Sequence, residues 1–363
     1  MSEPIAHIRL YPYRLPLRRT WCFGSHRLET RLGWLVAVRG VGGALGWGEA
    51  SPLPQAGTEH PAVTLAWLER NVHPLEGRDL DEALQALPPA RHAPPAARCG
   101  LETALLDLLA RQAGQPLATR LAPAAAGSIE VNAALGKLGT LSWKAVEAAL
   151  QAGFRCLKIK LGDDAPQTEA AHILALCRRL PAEIRLRLDA NRSWDLASAA
   201  TLLDALPMER IELVEEPLAD PDPSALSALT RRCGVPLALD ESLTHHTAER
   251  LLAHPSVACL VLKPMRLGGL LPCLELSRRA RAGGKEVRVT GMLDATPATL
   301  ATAHLAAALD AEGPPRAHGL ATSGWLARDL APPPCILAGR LHLPRRPGIG
   351  CEPYPKVRAT HGH

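Results

Sequence analysis

The sequence predicts an α/β fold, a closed barrel of parallel strands preceded by a separate α+β unit. Three observations carry this expectation. First, a chain of 363 residues exceeds what one ordinary hydrophobic core covers, so a large barrel or two domains is the starting point. Second, from about residue 128 short apolar segments alternate with Ala/Leu-rich helical ones, and eight of the apolar segments can be counted. That alternation argues for a parallel sheet, and eight units suggest closure into a barrel. Third, before residue 122 the order is different, with β-patterned sequence first and helical sequence after it. An antiparallel sheet followed by helices is an α+β unit. An open doubly wound sheet is the alternative for the second part, but no GxGxxG follows its first strand.

In chain order, residues 1–60 alternate apolar and polar at short range, as in LGWLVAVRGVGGALGWGEA, and read as a hairpin or meander with Gly-rich turns. Residues 62–122 are helical in pattern. CGLETALLDLLARQAG is the clearest amphipathic run, and Gly114 followed by Pro116 is its stop. The barrel strands are expected at 129–135, 154–161, 184–190, 210–216, 235–241, 257–263, 285–291 and 316–320.

Composition narrows the function. Lys+Arg of 41 against Asp+Glu of 36 gives a net charge of +5 with the basic residues scattered, which argues against nucleic acid as a partner. No apolar run approaches the roughly 20 residues that span a bilayer, and Arg9, Arg14, Arg18 and Arg19 interrupt the N-terminal stretch. Neither a membrane partner nor a signal peptide is expected. Nine cysteines without a CxxC pair read as thiols in a reducing compartment, so the expected location is the cytoplasm. The histidines show no HxxxH or HExxH spacing, and a zinc site is not supported.

The chemistry lies at the strand ends. Lys158 and Lys160 close the second strand, Asp189 the third, Glu215 and Glu216 the fourth, Asp240 and Glu241 the fifth, and Lys263 the sixth. Each step is one strand–helix unit, so these side chains should meet at the carboxyl-end mouth of the barrel, where active sites of this architecture lie. Converging carboxylates repel one another unless a cation sits between them, and their oxygens favour Mg²⁺, with Mn²⁺ able to substitute. A carbon acid beside a carboxylate loses its proton only if the doubly charged enediolate is stabilised and the base is neutral near pH 7. A lysine beside another ammonium and a cation has its pKa pushed down. In Lys158-Ile159-Lys160 the strand period places both lysines on one face. Two roles stay open for Lys158: tuning Lys160, or an ordinary charge partner for Asp189 or Glu215.

LKIKLG, LRLDANRSWD, ELVEEPL, LALDESL and LVLKPMRLGG resemble the successive strand-end motifs of the enolase superfamily, muconate-lactonizing subgroup. The resemblance runs from about residue 10 to about residue 350. It implies a (β/α)7β TIM-like barrel (127–322) under an N-terminal α+β capping domain (1–126), with a C-terminal segment (323–363) returning to the cap. It implies Asp189, Glu215 and Asp240 as Mg²⁺ ligands, Lys160 as the base on one face of a small-molecule carboxylate, and Lys263 on the other. Lys158, Arg187, Asn191 and Glu241 are supporting residues. YRLPLRRTWCFG, GWGEASPLPQAGTE, the run at 187–192, PAARCGLETALLDL and HGLATSGWLARDL look further like the o-succinylbenzoate synthases. That family carries out a dehydration through an enediolate in menaquinone biosynthesis.

Rivals share much of this pattern. N-succinylamino acid racemases carry nearly every motif and use both lysines, and muconate cycloisomerase keeps the same five residues. A dipeptide epimerase should show Asp-x-Asp after the eighth strand, where this chain reads GLATSGW; a mandelate-racemase-like enzyme should show a His after the seventh, where it reads VTGMLDATPAT. Asp294 in that stretch reads as a helix N-cap. A non-catalytic binding module would be expected to have lost a base or a ligand, and all five residues are present. Gly268 and Gly269 could open a helix towards an anionic group or make a tight turn. Specificity is expected from loops 18–30 and 51–59, where Arg18, Arg19, Arg27 and Arg31 would suit a second carboxylate on the substrate.

Overall fold

The structure, a computed structural model, describes residues 3–23 and 26–354. β1 (Ile5–Phe23) and β2 (His26–Gly40) form a long antiparallel hairpin, and β3 (Leu45–Ala50) pairs with β2 to complete a meander. The expected Gly-rich turn is there, with Gly43 in the left-handed region at φ 90°. Four helices follow: α1 (Pro61–Val72), α2 (Leu80–Ala86), α3 (Pro95–Gln112) and α4 (Leu117–Leu121). α3 ends as expected, at Gly114 with φ 66°.

The amphipathic reading of α3 does not hold. Every residue from Ala96 to Ala110 is buried, because the helix packs on β2 and β3 on one side and on barrel helices on the other. Small residues permit this approach. A Cβ added at Gly48 would lie 2.0 Å from the Gly100 carbonyl oxygen, so strand and helix backbones touch directly.

β4 (Ser128–Glu130) and β5 (Ala133–Lys137) begin the second part. There follow α5 (Trp143–Gln151), β6 (Cys156–Lys160), α6 (Pro166–Arg179), β7 (Arg185–Asp189), α7 (Leu196–Asp204), β8 (Ile211–Glu215) and α8 (Pro223–Cys233). Then come β9 (Leu237–Leu239), α9 (Ala248–Ala253), β10 (Val257–Leu262), α10 (Pro264–Leu267), α11 (Leu270–Ala282), β11 (Glu286–Val289) and α12 (Thr296–Ala311). Local chemistry sets the helix ends. In α8, Asp222 accepts from Ser224 N and Ala225 N, Pro223 occupies the first turn, and Gly234 caps the end in the left-handed region. Strands β5 to β11 form one parallel sheet in chain order, with their side chains largely buried, as a sheet covered by helices requires.

Two expected strands differ. The first divides: β4 leaves the barrel and pairs with β13 (Arg340–His342), which pairs with β12 (Cys335–Leu337), and only β5 joins the parallel sheet. The eighth is not a continuous strand but closes the barrel through single bridges. His318 pairs with Val131, and Gly319 with Thr290, through His318 N to Glu130 O (2.8 Å) and Gly319 N to Val289 O (2.9 Å). Seven β/α units and a closing segment make a (β/α)7β barrel, as expected. The described cysteines are all unpaired, and among the described residues no helix is long and apolar enough to cross a membrane.

The N-terminal unit is fastened to the barrel by buried polar contacts. Glu49 of β3 accepts from Ala295 N and Ala298 N at the start of α12, and Asp329 accepts from Thr296 N. These residues, not Asp294, satisfy the first turn of α12. Asp294 instead accepts from Met292 N and Ser51 Oγ. At the start of α11 the anionic group is Glu102 of α3, which accepts from Leu271 N at 3.1 Å. Gly269 must be glycine there, because a Cβ would lie 2.1 Å from Glu102 Oε2.

Candidate active site

Strand register brings the ionisable residues to one level. Lys160, Asp189 and Glu215 are consecutive partners across β6, β7 and β8, while Asp240 follows β9 and Lys263 follows β10. A cavity opens at this end of the barrel. Lys158, Lys160, Asp189, Asn191, Asp240, Glu241 and Lys263 form its floor and walls, and Trp21, Arg27, Leu28, Leu53, Gln55 and Ala56 cover it from the N-terminal unit. Asn132, Thr290, Met292, Leu293 and Thr322 are also in the lining. Glu215 lies beneath, reached through Lys158.

The two cation sets are bound differently. Lys158 Nζ stands 2.9 Å from Asp189 Oδ2 and 2.7 Å from Glu215 Oε2. Burial works to lower its pKa, but Asp189 and Glu215 outweigh it and hold the ammonium well above its usual value. Lys263 Nζ stands 2.5 Å from Asp240 Oδ2, and Arg266 Nη2 stands 2.6 Å from Asp240 Oδ1. Burial would raise the Asp240 carboxyl, yet Lys263 and Arg266 hold it well below the usual range. Asp189 is likewise lowered against the cost of burial by Lys158 and Lys160.

Lys160 faces a different partner. Its Nζ donates to Asn191 Oδ1 at 2.8 Å, an uncharged amide, and the indole of Trp21 lies with its centroid 5.1 Å away. Burial is the largest cause lowering its pKa, with Lys158 and Lys263 adding to it and Asp189 opposing. Lys158 has contacts that bear on both roles left open by the sequence. It pairs with Asp189 and Glu215, and it also depresses Lys160.

Asn191 ties the site together. Besides Lys160, its Nδ2 donates to Glu241 Oε1 at 2.8 Å and its backbone N to Asp189 Oδ1 at 3.1 Å. It holds a left-handed backbone, φ 44°, which asparagine tolerates better than most residues. Glu216 supports the next turn, accepting from Asp240 N and Ser242 N at 2.7 Å each. Arg187 lies deeper in the barrel, donating to Asn132 Oδ1, Glu212 and Ala317 O. Arg266, Asn132, Thr290 and Trp21 were not picked out by sequence reasoning. Trp21 does lie in the loop expected at 18–30, Thr290 near the end of the strand expected at 285–291 and Arg266 in the LKPMRLGG motif.

Among the described residues, no three His, Cys, Asp or Glu side chains stand in an arrangement that would hold a metal ion. Lysine ammonium groups stand against the carboxylates instead. The donor chemistry nonetheless fits a hard divalent cation. Glu215 Oε1 and Glu241 Oε2 are buried with no hydrogen-bond partner. Burial, then the charges of Asp189 and Asp240, push Glu215 up to about 8 against the pull of Lys158. Asp189, Glu215 and Asp240 offer only carboxylate oxygens, the hard donors that Mg²⁺ takes.

Of the arginines expected to meet a substrate carboxylate, only Arg27 lines the cavity. Arg31 is 2% exposed and donates to Leu293 O, Pro52 O and Ser51 O, so it fastens the N-terminal unit to the barrel. Arg18 donates to Leu326 O, and Arg19 lies over the Trp325 ring. Residues 24 and 25 of the loop expected at 18–30 lie outside the described residues. In the second loop Leu53 lines the cavity, while Thr58 Oγ1 accepts from Leu53 N at 2.6 Å and braces the turn.

Two family models match this chain. One, described as enolase C-terminal domain-like, covers residues 142–357, and the other, the MenC N-terminal domain, covers residues 5–106. The L-Lys-D/L-Arg epimerase of Methylococcus capsulatus is 33% identical, over 97% of this chain and 99% of its own. Muconate cycloisomerase 1 of Rhodococcus opacus is 29% identical, over 93% of each chain. The o-succinylbenzoate synthase of Yersinia enterocolitica is 30% identical, over 82% of this chain and 85% of its own. Among solved structures, the dipeptide epimerase of Enterococcus faecalis complexed with Mg and the dipeptide L-Leu-L-Tyr superposes with a TM-score of 0.85. It is 25% identical, over 96% of this chain and 99% of its own.

Proposed function

Because this chain belongs to the enolase superfamily, its enolase C-terminal domain-like match covering more than half of its length, we propose that it is an o-succinylbenzoate synthase. The reaction is the Mg²⁺-dependent syn-dehydration of 2-succinyl-6-hydroxy-2,4-cyclohexadiene-1-carboxylate. One observation carries the choice of substrate. The residues that cover the cavity from above, Trp21, Arg27, Leu28, Leu53, Gln55 and Ala56, all lie within the stretch that matches the MenC N-terminal domain.

Lys160, neutral, takes the proton from the carbon beside the substrate carboxylate. The resulting enediolate expels hydroxide from the adjacent carbon on the same face. The Lys160 ammonium, still on that face, returns the proton to the departing hydroxide, so water leaves and the ring becomes aromatic. Asn191 orients the amine without supplying a charge that would hold it protonated. Lys263, paired with Asp240, stays a cation against the opposite face. Asp189, Glu215 and Asp240 would hold Mg²⁺, which supplies positive charge against the developing second charge on the carboxylate. Trp21, Leu28, Leu53, Met292 and Leu293 keep water from the carbanionic centre.

A second reading, racemisation of an N-succinylated amino acid, is favoured by the presence of both Lys160 and Lys263 in the cavity wall. The difference in their partners supports one base and one cation. The purified protein with Mg²⁺ should be assayed against the cyclohexadiene precursor and against N-succinylated amino acids. Dehydration should exceed racemisation in kcat/KM by orders of magnitude, and the reverse order would overturn the synthase reading while leaving the shared proton abstraction standing.

A further inference from the structure

The β1 arm of the hairpin does not run straight. Pro16 pairs with Thr30 and Trp21 with Leu28, so residues 17–20 face a single residue on β2 and bulge out of the ladder. The bulge lands on the chain that follows the barrel-closing segment. Leu17 bridges Leu326, Ala327 N donates to Pro16 O at 2.9 Å, and Arg18 Nε donates to Leu326 O at 3.0 Å. The guanidinium of Arg19 sits 3.9 Å above the centroid of Trp325. Trp325 in turn meets Trp21 edge to face, with centroids 4.5 Å apart and planes at 85°. Trp21 is the member that lines the cavity, and Trp325 does not.

We propose that Trp325 is a positioning residue: with Arg19 it clasps the bulged arm of β1 and so fixes the indole of Trp21 above Lys160. A bulge of this kind re-aims a side chain at the cost of ladder hydrogen bonds, and the lost pairing has to be made up elsewhere. The backbone bonds at Leu326 and Ala327 make part of it up, and the Arg19–Trp325–Trp21 stack supplies the remainder with a fixed geometry. Trp325 is not among the residues that line the cavity with the lysines and carboxylates. Its influence on the reaction passes through Trp21, and it bears on how the substrate is held rather than on proton transfer. The kinetic consequence rests on the synthase reading, whereas the mechanical one does not.

Two measurements on Trp325→Ala, Trp325→Phe and Arg19→Ala test this. The first is tryptic cleavage of the native protein after Arg18, compared with the thermal midpoint. An edge-to-face pair and a cation–π contact of ordinary strength together correspond to a change of about tenfold. Trp325→Ala should therefore be cut about ten times faster than the parent protein, with Trp325→Phe close to the parent and Arg19→Ala between them, and with the midpoint lowered by no more than about 2 °C. The second is turnover of the precursor, where Trp325→Ala should raise KM by a similar factor and leave kcat within about threefold. If Trp325→Ala fails to fold, the exposed Arg19→Ala change carries the same two readouts. Cleavage at the parent rate, or phenylalanine no better than alanine, would overturn the clasp. A loss in kcat with KM unchanged would overturn the positioning role. If the parent protein does not turn over the precursor at all, the synthase reading fails, and the cleavage rates still decide the clasp.

Discussion

Replacing Arg31 by methionine tests how the N-terminal unit is held over the cavity. The guanidinium donates to Pro52 O at 2.9 Å, Ser51 O at 2.7 Å and Leu293 O at 3.2 Å, and stands 3.7 Å from Asp294. Three bonds from a charged donor, at about 1.5 kcal/mol each, would cost roughly 4–5 kcal/mol. A buried methionine of similar length regains about 1.5 kcal/mol of apolar burial. The net loss is about 3 kcal/mol, at the lower edge of the ~3–5 kcal/mol seen when one member of a buried ion pair is removed. Urea unfolding followed by far-UV circular dichroism measures it directly. The sequence alone suggested a substrate-facing role for this arginine, and the two roles give opposite results. A loss below about 1 kcal/mol, the worth of an exposed pair, together with a raised KM, would refute the structural role and restore the substrate-facing one.

Three further outcomes are expected. Asp240→Asn should weaken Mg²⁺ binding by more than the ~10–100-fold typical of outer partners of a metal site, as read by calorimetry, and full activity in excess chelator would sink the metal assignment. The rate profile should show kcat/KM rising with pH through an apparent pKa below the roughly 10.4 of a free lysine, because burial first, and then Lys158 and Lys263, lower Lys160. Asp107, raised by burial from 3.8 to about 6 despite Arg111, should make stability fall as pH rises through that window. The folded state there keeps a proton that the unfolded chain has released. The slope should become shallower in Asp107→Asn by that one group's share, because Glu49 and Glu216, raised by burial to about 7, act in the same direction over an overlapping range. An unchanged slope in that variant would show that Asp107 does not contribute.

What the sequence made legible follows its physics closely. Asp189 and Glu215 are one strand–helix unit apart, and a parallel ladder converts equal spacing along the chain into one level across the sheet, where they pair directly. Period two along β6 likewise put Lys158 and Lys160 on one face. Pairings that cross between units were not legible. The pattern of α3 looked amphipathic because single-helix periodicity cannot register a second partner, yet that helix is packed from both sides. Arg31 was expected to face the substrate and Glu49 and Glu102 drew no expectation, because each has a partner more than 160 residues away along the chain. Residues 316–320 were expected as a full strand, but closure through single bridges asks for little β-pattern. Trp21 and Trp325 carry no local signal of their contact, since the bulge that joins them is a feature of register.

The central claim is that Lys160 removes the proton beside the substrate carboxylate. The most direct measurement is single-turnover dehydration by Lys160→Ala, with Mg²⁺ saturating and folding confirmed by circular dichroism. Removing a positioned general base costs ~10²–10⁴-fold in rate, and this residue also returns the proton to the leaving hydroxide, so a loss of at least about 10³-fold is expected. A rate within about tenfold of the parent protein would contradict the account.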